Sequence, residues 1–310
     1  KTAIDKATLK TESKDIYFAD DDYLIEAHSK SFTAPSANAN IGYLKNFMET
    51  CVETYGKDHA TAMVVPNAVD ILRDHLPKYA SPYDEEVYLQ KVADAMPEGT
   101  WFDSGSVLRE HKNIQLYYRT DHHWTALGAY YAYRSFADVK GITPLELSQC
   151  EKKEFSGFLG AFYSDTNKNP ALAQNPDTVM AYVPPGNIKM QYTDRNGNTY
   201  NWPLISDVTD WATSTKYSTF IGGDNPYTII QNSDLTDGSS CLVIKESFGN
   251  AFIPFLAANY QTVHVIDYRY WNGNIQDFVS VGDAFNEGMS TFDTWQNGWG
   301  GGAFNAGANW

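Results

Sequence analysis

The strongest constraint on the fold of this 310-residue chain is one string, SSCLVIKESFGNAFIPFLAANY, in which an apolar run over 241–244 passes almost at once into helical spacing. A short, continuous apolar run between small polar residues suits a strand buried on both faces. A helix that follows it directly has to pack back onto the sheet, which is the α/β arrangement. The same alternation recurs elsewhere. ATAMVVP, closed by Pro66, and TVHVIDYRYW, ending its strand at Asp267, read as further strands. IGYLKNFMETCVETYG puts Ile41, Leu44, Phe47, Met48, Cys51, Val52 and Tyr55 on one helical face, with Gly56 as its stop. SPYDEEVYLQKVADAMPEG gathers Asp84, Glu85 and Glu86 in its first turns, where they favour the helix dipole. TALGAYYAYRSFADVKG resumes the spacing through Leu127, Tyr130, Tyr131 and Phe136 and stops near Gly141.

These elements predict an α/β domain over 41–275 around a central, mostly parallel sheet. Residues 1–40 are polar, broken by Pro35 and small residues, and read as an irregular N-terminal strap. Between 151 and 235 the prolines, asparagines and glycines predict a loop-rich or small β insertion, the expected place for a substrate-facing wall. Residues 276–310 read as a Gly/aromatic C-terminal segment with no assignable core strand.

With 38 acidic against 23 basic residues the formal charge is -15, which disfavours nucleic acid and makes a neutral polysaccharide a more natural partner than an anionic one. An aromatic share of 15% permits sugar stacking without requiring it. No apolar run is long enough for a transmembrane helix. The chain opens on KTAIDKATLK with neither initiator methionine nor hydrophobic leader, and the expectation is a processed protein whose targeting segment is missing. Cys51, Cys150 and Cys241 are too few and too scattered for a disulfide framework, and Cys241 is expected in the core.

Ser247 stands where the strand CLVIKE ends and a helix starts near Phe248, so its hydroxyl is expected at the C-terminal edge of the sheet, beside unpaired helical N–H groups. Such donors stabilise the oxyanion of a tetrahedral intermediate. The plain alternative is a helix N-cap. In YYRTDHHWTALGAYYAY a helix from about Thr125 leaves Asp121, His122 and His123 on its approach turn. A carboxylate two residues from an imidazole fixes the tautomer of that ring and leaves its other nitrogen to accept a serine proton. The same three residues are also ordinary metal ligands, so a metal hydrolase centred on Asp121, His122 and His123 remains open beside caps and structural hydrogen bonds. His28, His59, His75 and His111 are expected at the surface, and His264, alternating with valines, in a core or edge strand.

YYRTDHHWTALGAYYAY, VVPNAVDILRDHLP, KYSTFIGGDNPYTII and LVIKESFGNAFIPFLAANYQTVHVIDYRYW together resemble the bacterial DHHW family, related to the SGNH-hydrolase-like proteins that O-acetylate alginate and similar exopolysaccharides. The resemblance covers about 60–275 and implies a three-layer SGNH-hydrolase-like domain. It further implies Ser247 as nucleophile, His123 and Asp121 completing the triad, and no cofactor or metal. Phe248, Gly223, Asn225 and Gly157 become candidates for oxyanion or positioning groups, and Trp124, Arg119, Arg269 and His122 for the substrate side. The implied activity is carbohydrate O-acetylesterase or O-acetyltransferase on an envelope or extracellular polysaccharide, with an acetylation-machinery protein as a further partner. A non-catalytic glycan- or protein-binding role on the same scaffold is the alternative. Relatives have aspartate where this chain has Glu246, which keeps the charge and lengthens the arm.

Overall fold

A computed structural model describes residues 11–168 and 170–271, so the segment expected over 276–310 lies outside the described residues. In the N-terminal strap, strands β1 (Glu12–Ser13), β2 (Ile16–Phe18) and β3 (Leu24–Glu26) form a small antiparallel sheet. Helix α1 (Pro35–Tyr55) begins well before Ile41, because Pro35 sits in its first turn. Proline has no N–H to lose there and its fixed φ suits a helix start, so the residue that looked like a breaker is an opener. Strand β4 (Ala62–Met63), helix α2 (Glu85–Ala95) and strand β5 (Trp101–Phe102) follow, with β4 and β5 paired in parallel.

Helix α3 (Ala126–Lys140) is capped at one end by Thr125, whose side chain accepts the Gly128 N–H, and at the other by Gly141 in the left-handed region at φ 67°. Strands β6 (Glu151–Phe158) and β7 (Asp177–Val183) form an antiparallel pair with a bulge between Ser156 and Phe158. Then come β8 (Ile188–Thr193), β9 (Thr199–Trp202), β10 (Tyr227–Asn232), β11 (Ser240–Lys245), helix α4 (Gly249–Leu256) and β12 (Thr262–Asp267).

The expectation of a central, mostly parallel sheet is overturned. The five-stranded sheet runs β11-β12-β10-β8-β9, and only β11 and β12 are parallel; the other three pairings are antiparallel. The α/β class stands, with mixed sheets. The physical reason lies in 188–232: Lys189, Gln191 and Gln231 put polar side chains on one face of β8 and β10, so neither gives the all-apolar signal of a doubly buried strand. β8 and β9 are joined by a tight turn in which Asp194 and Asn198 exchange a backbone bond and Gly197 takes φ 82°. Antiparallel neighbours need only such a turn, and its Asn/Gly chemistry resembles that of a loop.

The site is positioned by aromatic packing between α3 and α4. Tyr133 stacks on Phe255 with ring centroids 5.4 Å apart, Phe136 meets Phe252 edge-on at 5.9 Å, and Trp124, fully buried, lies parallel to Phe252. Large flat side chains bury much apolar area and favour these offset and edge-on geometries. Locking the two helices side by side brings together the turns that precede them. Of the histidines expected at the surface, His28 is instead buried at 3% exposure, tilted against Phe32 and within 3.5 Å of the Ser31 hydroxyl. Cys241, expected in the core, is only partly buried because β11 is the outer strand of its sheet.

Candidate active site

The Asp-His-His turn is the tip of a loop closed at its base. Tyr117 and Trp124 form an antiparallel bridge, Tyr118 N–H donates to His123 O at 3.1 Å, and Thr125 N–H donates to Leu116 O at 2.7 Å. Asp121 Oδ1 accepts His123 Nδ1–H at 2.6 Å and the His123 amide at 3.1 Å, while Oδ2 accepts the Ala161 amide at 2.8 Å. An acceptor on that side requires the proton on Nδ1 and leaves the His123 Nε2 lone pair facing Ser247 Oγ, 2.8 Å away. The order Asp121–His123–Ser247 is thus one continuous hydrogen-bonded chain. Burial acts to raise the Asp121 carboxyl, but the neighbouring His122 and His123 rings and the bonds from His123 and Ala161 outweigh it and hold the group well below the usual carboxylate range. It therefore stays ionised and acceptor-only.

Ser247 sits between the end of β11 and the start of α4, at 7% exposure. Its peptide is pinned from two sides: Tyr217 Oη donates to Ser247 O at 3.1 Å, and Trp124 Nε1–H donates to Phe248 O at 2.9 Å. The Tyr217 ring also stacks on His123, 3.9 Å between centroids and 15° from parallel, which fixes the imidazole plane.

Other candidates fall elsewhere. Trp124 has no exposed surface and cannot stack on a substrate; it is a clamp on the serine turn. Arg119 is committed through its amide and Nε to Asp177 Oδ1, and Arg269 is paired with Asp267 and Asp224, so neither guanidinium is free for substrate. His122 keeps a partly exposed ring against His123, 3.9 Å between centroids, and burial followed by the proximity of His123 lowers it to about 4, so it is neutral at neutral pH. Gly223 spends its N–H on Phe220 O, and the Asn225 amide turns back to Gly222 O at 3.4 Å; the residue of IGGDNP that reaches toward the site is Asp224. The Phe248 amide is placed beside the hydroxyl but donates to Glu246 Oε2 at 3.0 Å. Gly157 occupies the β6 bulge at φ 82°, and the glycine of FSGFLG that touches the site is Gly160, whose missing Cβ would overlap the Asp121 carboxylate.

Four groups at the site escape sequence reading. Gly160 lies in FSGFLG, three residues beyond Gly157. Tyr217 lies in KYSTFIGGDNP, and no spacing in that string sets this ring apart from the other aromatics. Asp177 gathers the Arg119 amide and Nε and Gln115 Nε2 on Oδ1, and the Thr120 amide and hydroxyl on Oδ2, all from a stretch that reads as loop. Finally Lys245, buried, pairs with Asp267 at 2.9 Å and Asp224 at 3.4 Å; Lys245 and Arg269 hold Asp224 at about 2 against the upward pull of burial.

Asp121, His122 and His123 also present donor atoms within 4.8 Å of one another, the one such His/acid group among the described residues. A cavity of about 560 Å³ runs along β11 toward Glu246 and Trp124, on a side that neither Ser247 nor His123 lines.

A sequence profile described as DHHW protein matches residues 15–266. The crystal structure of a DHHW family protein from Eubacterium siraeum superposes with a TM-score of 0.65 at 28% identity, covering 78% of this chain and 79% of that one. Bacillus cereus PatB1 with a sulfonyl adduct gives 0.67 at 18% identity over 85% and 89% of the two chains, and PatB1 in a second structure gives 0.65 at 19% over 84% and 90%. The PatB1 likenesses concern the fold. No curated protein matches the sequence.

Proposed function

Because the chain belongs to the DHHW family, we propose that it is a serine-dependent carbohydrate O-acetylesterase or O-acetyltransferase working through an acyl-enzyme on an envelope or extracellular polysaccharide. The single observation that carries this reading is the unbroken line Asp121–His123–Ser247, at 2.6 and 2.8 Å. As Ser247 Oγ bonds to the acetyl carbon, its proton passes to His123 Nε2, and Asp121 stabilises the imidazolium. The carbonyl electron pair moves onto oxygen, which needs an amide donor at the start of α4. Collapse breaks the bond to the leaving oxygen, which takes the proton from His123. Water or a sugar hydroxyl then gives its proton to His123 and attacks the acyl-enzyme, and Ser247 leaves with its proton restored. Water makes the protein an esterase, a sugar hydroxyl a transferase.

The formal charge of -15 favours a neutral over an anionic glycan, and among the described residues no helix is long and apolar enough to cross a membrane. An extracellular or envelope location, and a partner from an acetylation machinery, belong to the same proposal. The test is hydrolysis of a chromogenic acetyl ester by wild type and by Ser247→Ala. The expected loss is on the order of 10³-fold or more; equal rates remove Ser247 as nucleophile.

A metal hydrolase on Asp121, His122 and His123 is the second reading, favoured by the closeness of their donor atoms. The nitrogens of His123, however, are already directed at Asp121 and Ser247. Activity that survives prolonged chelation supports the serine reading, and activity restored only by a divalent cation supports the metal.

A further inference from the structure

Glu246 stands one residue before the nucleophile and is almost fully buried, and the proposed chemistry gives it no role. Its Oε2 accepts the Phe248 amide at 3.0 Å and lies 3.2 Å from the Ser247 hydroxyl, a second and longer-range acceptor for the one proton that also faces His123 Nε2 at 2.8 Å. The amide is the donor that a developing oxyanion would use, and the hydroxyl is the group that His123 must deprotonate. One carboxylate oxygen thus occupies the place where the carbonyl oxygen of a substrate has to sit, and competes with His123 for the serine proton. A negative charge there also repels an oxyanion forming beside it, in a dry setting where such repulsion is strong. Burial pushes the Glu246 carboxyl upward, in keeping with a charge held at a cost.

We propose that Glu246 is a gate on the serine: in the resting protein its carboxylate closes the oxyanion position, and reaction at Ser247 requires that side chain to withdraw. This rests on the serine reading above. The geometry gives the side chain somewhere to go, since Glu246, with Lys245, Gly249 and Trp124, lines the cavity of about 560 Å³ behind the end of β11. Arg269 and Lys245 supply positive charge near it.

The experiment is the rate of Ser247 modification by phenylmethylsulfonyl fluoride, followed by intact mass. In this reaction Oγ bonds to sulfur, fluoride departs, and the serine proton passes to His123. A sulfonyl oxygen needs the same amide as a carbonyl oxygen. Glu246→Ala is expected to react roughly tenfold or more faster than wild type. Glu246→Gln keeps both length and an acceptor oxygen, and is expected to fall between wild type and Glu246→Ala. Ser247 is only 7% exposed, so thermal melts of each variant are needed to establish that faster labelling comes from a folded protein and not from a loosened one. Equal or slower labelling of folded Glu246→Ala overturns the gate while leaving the nucleophile in place. Labelling that is undiminished in Ser247→Ala, or absent from every variant, overturns the serine reading and the gate with it.

Discussion

The turn that carries Asp121 and His123 hangs on one buried carboxylate, Asp177, whose two oxygens collect five donors from Gln115, Arg119 and Thr120. The turn that carries Ser247 stands instead on a cluster of charges, Lys245 and Arg269 against Asp224 and Asp267, with the Asn250 amide donating to Asp224 at 2.8 Å. In the first half most donors are neutral, and beyond the backbone bonds that close the loop the side-chain support of 115–120 converges on a single residue. In the second, each acid meets more than one cation, so no one side chain holds the whole. The difference teaches where each half is fragile. A network with one hub fails at the hub, while one with shared partners degrades by degrees.

The largest expected effect follows from removing that hub. Asp177→Ala leaves the amides of Arg119 and Thr120 and the Thr120 hydroxyl without their acceptor, and leaves the Arg119 guanidinium with only the Asn175 and Pro176 carbonyls and no counter-charge. Loss of one partner from a buried ion pair costs about 3–5 kcal/mol, and the stranded neutral donors add to it. Urea unfolding measures the loss directly, and the same variant should lose ester hydrolysis, since the Thr120 hydroxyl accepts the Gly160 amide that seats the wall against Asp121. A loss below about 1 kcal/mol would break the single-hub picture.

The counterpart on the serine side is Lys245→Met, which keeps the length of the side chain and removes its charge. Asp267 still accepts from Arg269 at 2.6 and 2.9 Å, and Asp224 still accepts from Arg269 and Asn250. The expected destabilisation is about 1–3 kcal/mol, smaller than for Asp177. If urea unfolding ranks the two in the opposite order, the comparison is wrong, and the serine turn rather than the Asp-His turn is the half with a hub.

The two halves were also unequally legible. Asp121 and His123 sit two residues apart on the approach to a helix, and the roles of their nitrogens and oxygens follow from that spacing. Ser247 announces itself by the change from strand to helix. Asp177, Gly160 and Tyr217 give no such signal, because each reaches its partner across dozens of residues and none repeats at a structural period. The parallel expectation fails for a related reason: β11 and β12 carry the apolar signal and are the parallel pair, whereas β8, β9 and β10 are half-polar strands, the first two joined by an Asn/Gly turn and the third reached through a long loop. His28 was misplaced because a lone histidine among polar neighbours carries no trace of the Phe32 ring that buries it.

At neutral pH the remaining expected effect vanishes: it is a pH dependence, and it separates the two halves by where they titrate. Burial lowers His122, beside Asp121, to about 4 from an ordinary 6.5. Between those values the unfolded chain binds a proton at this position that the folded protein does not. The neutral ring therefore contributes no penalty above about 6.5, and stability is lost progressively as pH falls from 6.5 toward 4. His28, also lowered to about 4, acts in the same sense. Glu26, raised by burial to about 7, acts in the opposite sense, so the slope of the wild type alone mixes opposing contributions. On the serine side Asp224, held at about 2, supports the fold above the ordinary carboxylate range and withdraws that support only as pH falls below about 4. Comparison of wild type with His122→Gln isolates the ring: the stability difference should shift against the wild type by at most about 1.4 kcal/mol for each pH unit between 6.5 and 4, and level off above 6.5. Thermal melts across pH 4 to 8 read this out, and a difference that stays flat through that window would mean that His122 takes up its proton without resistance from the site.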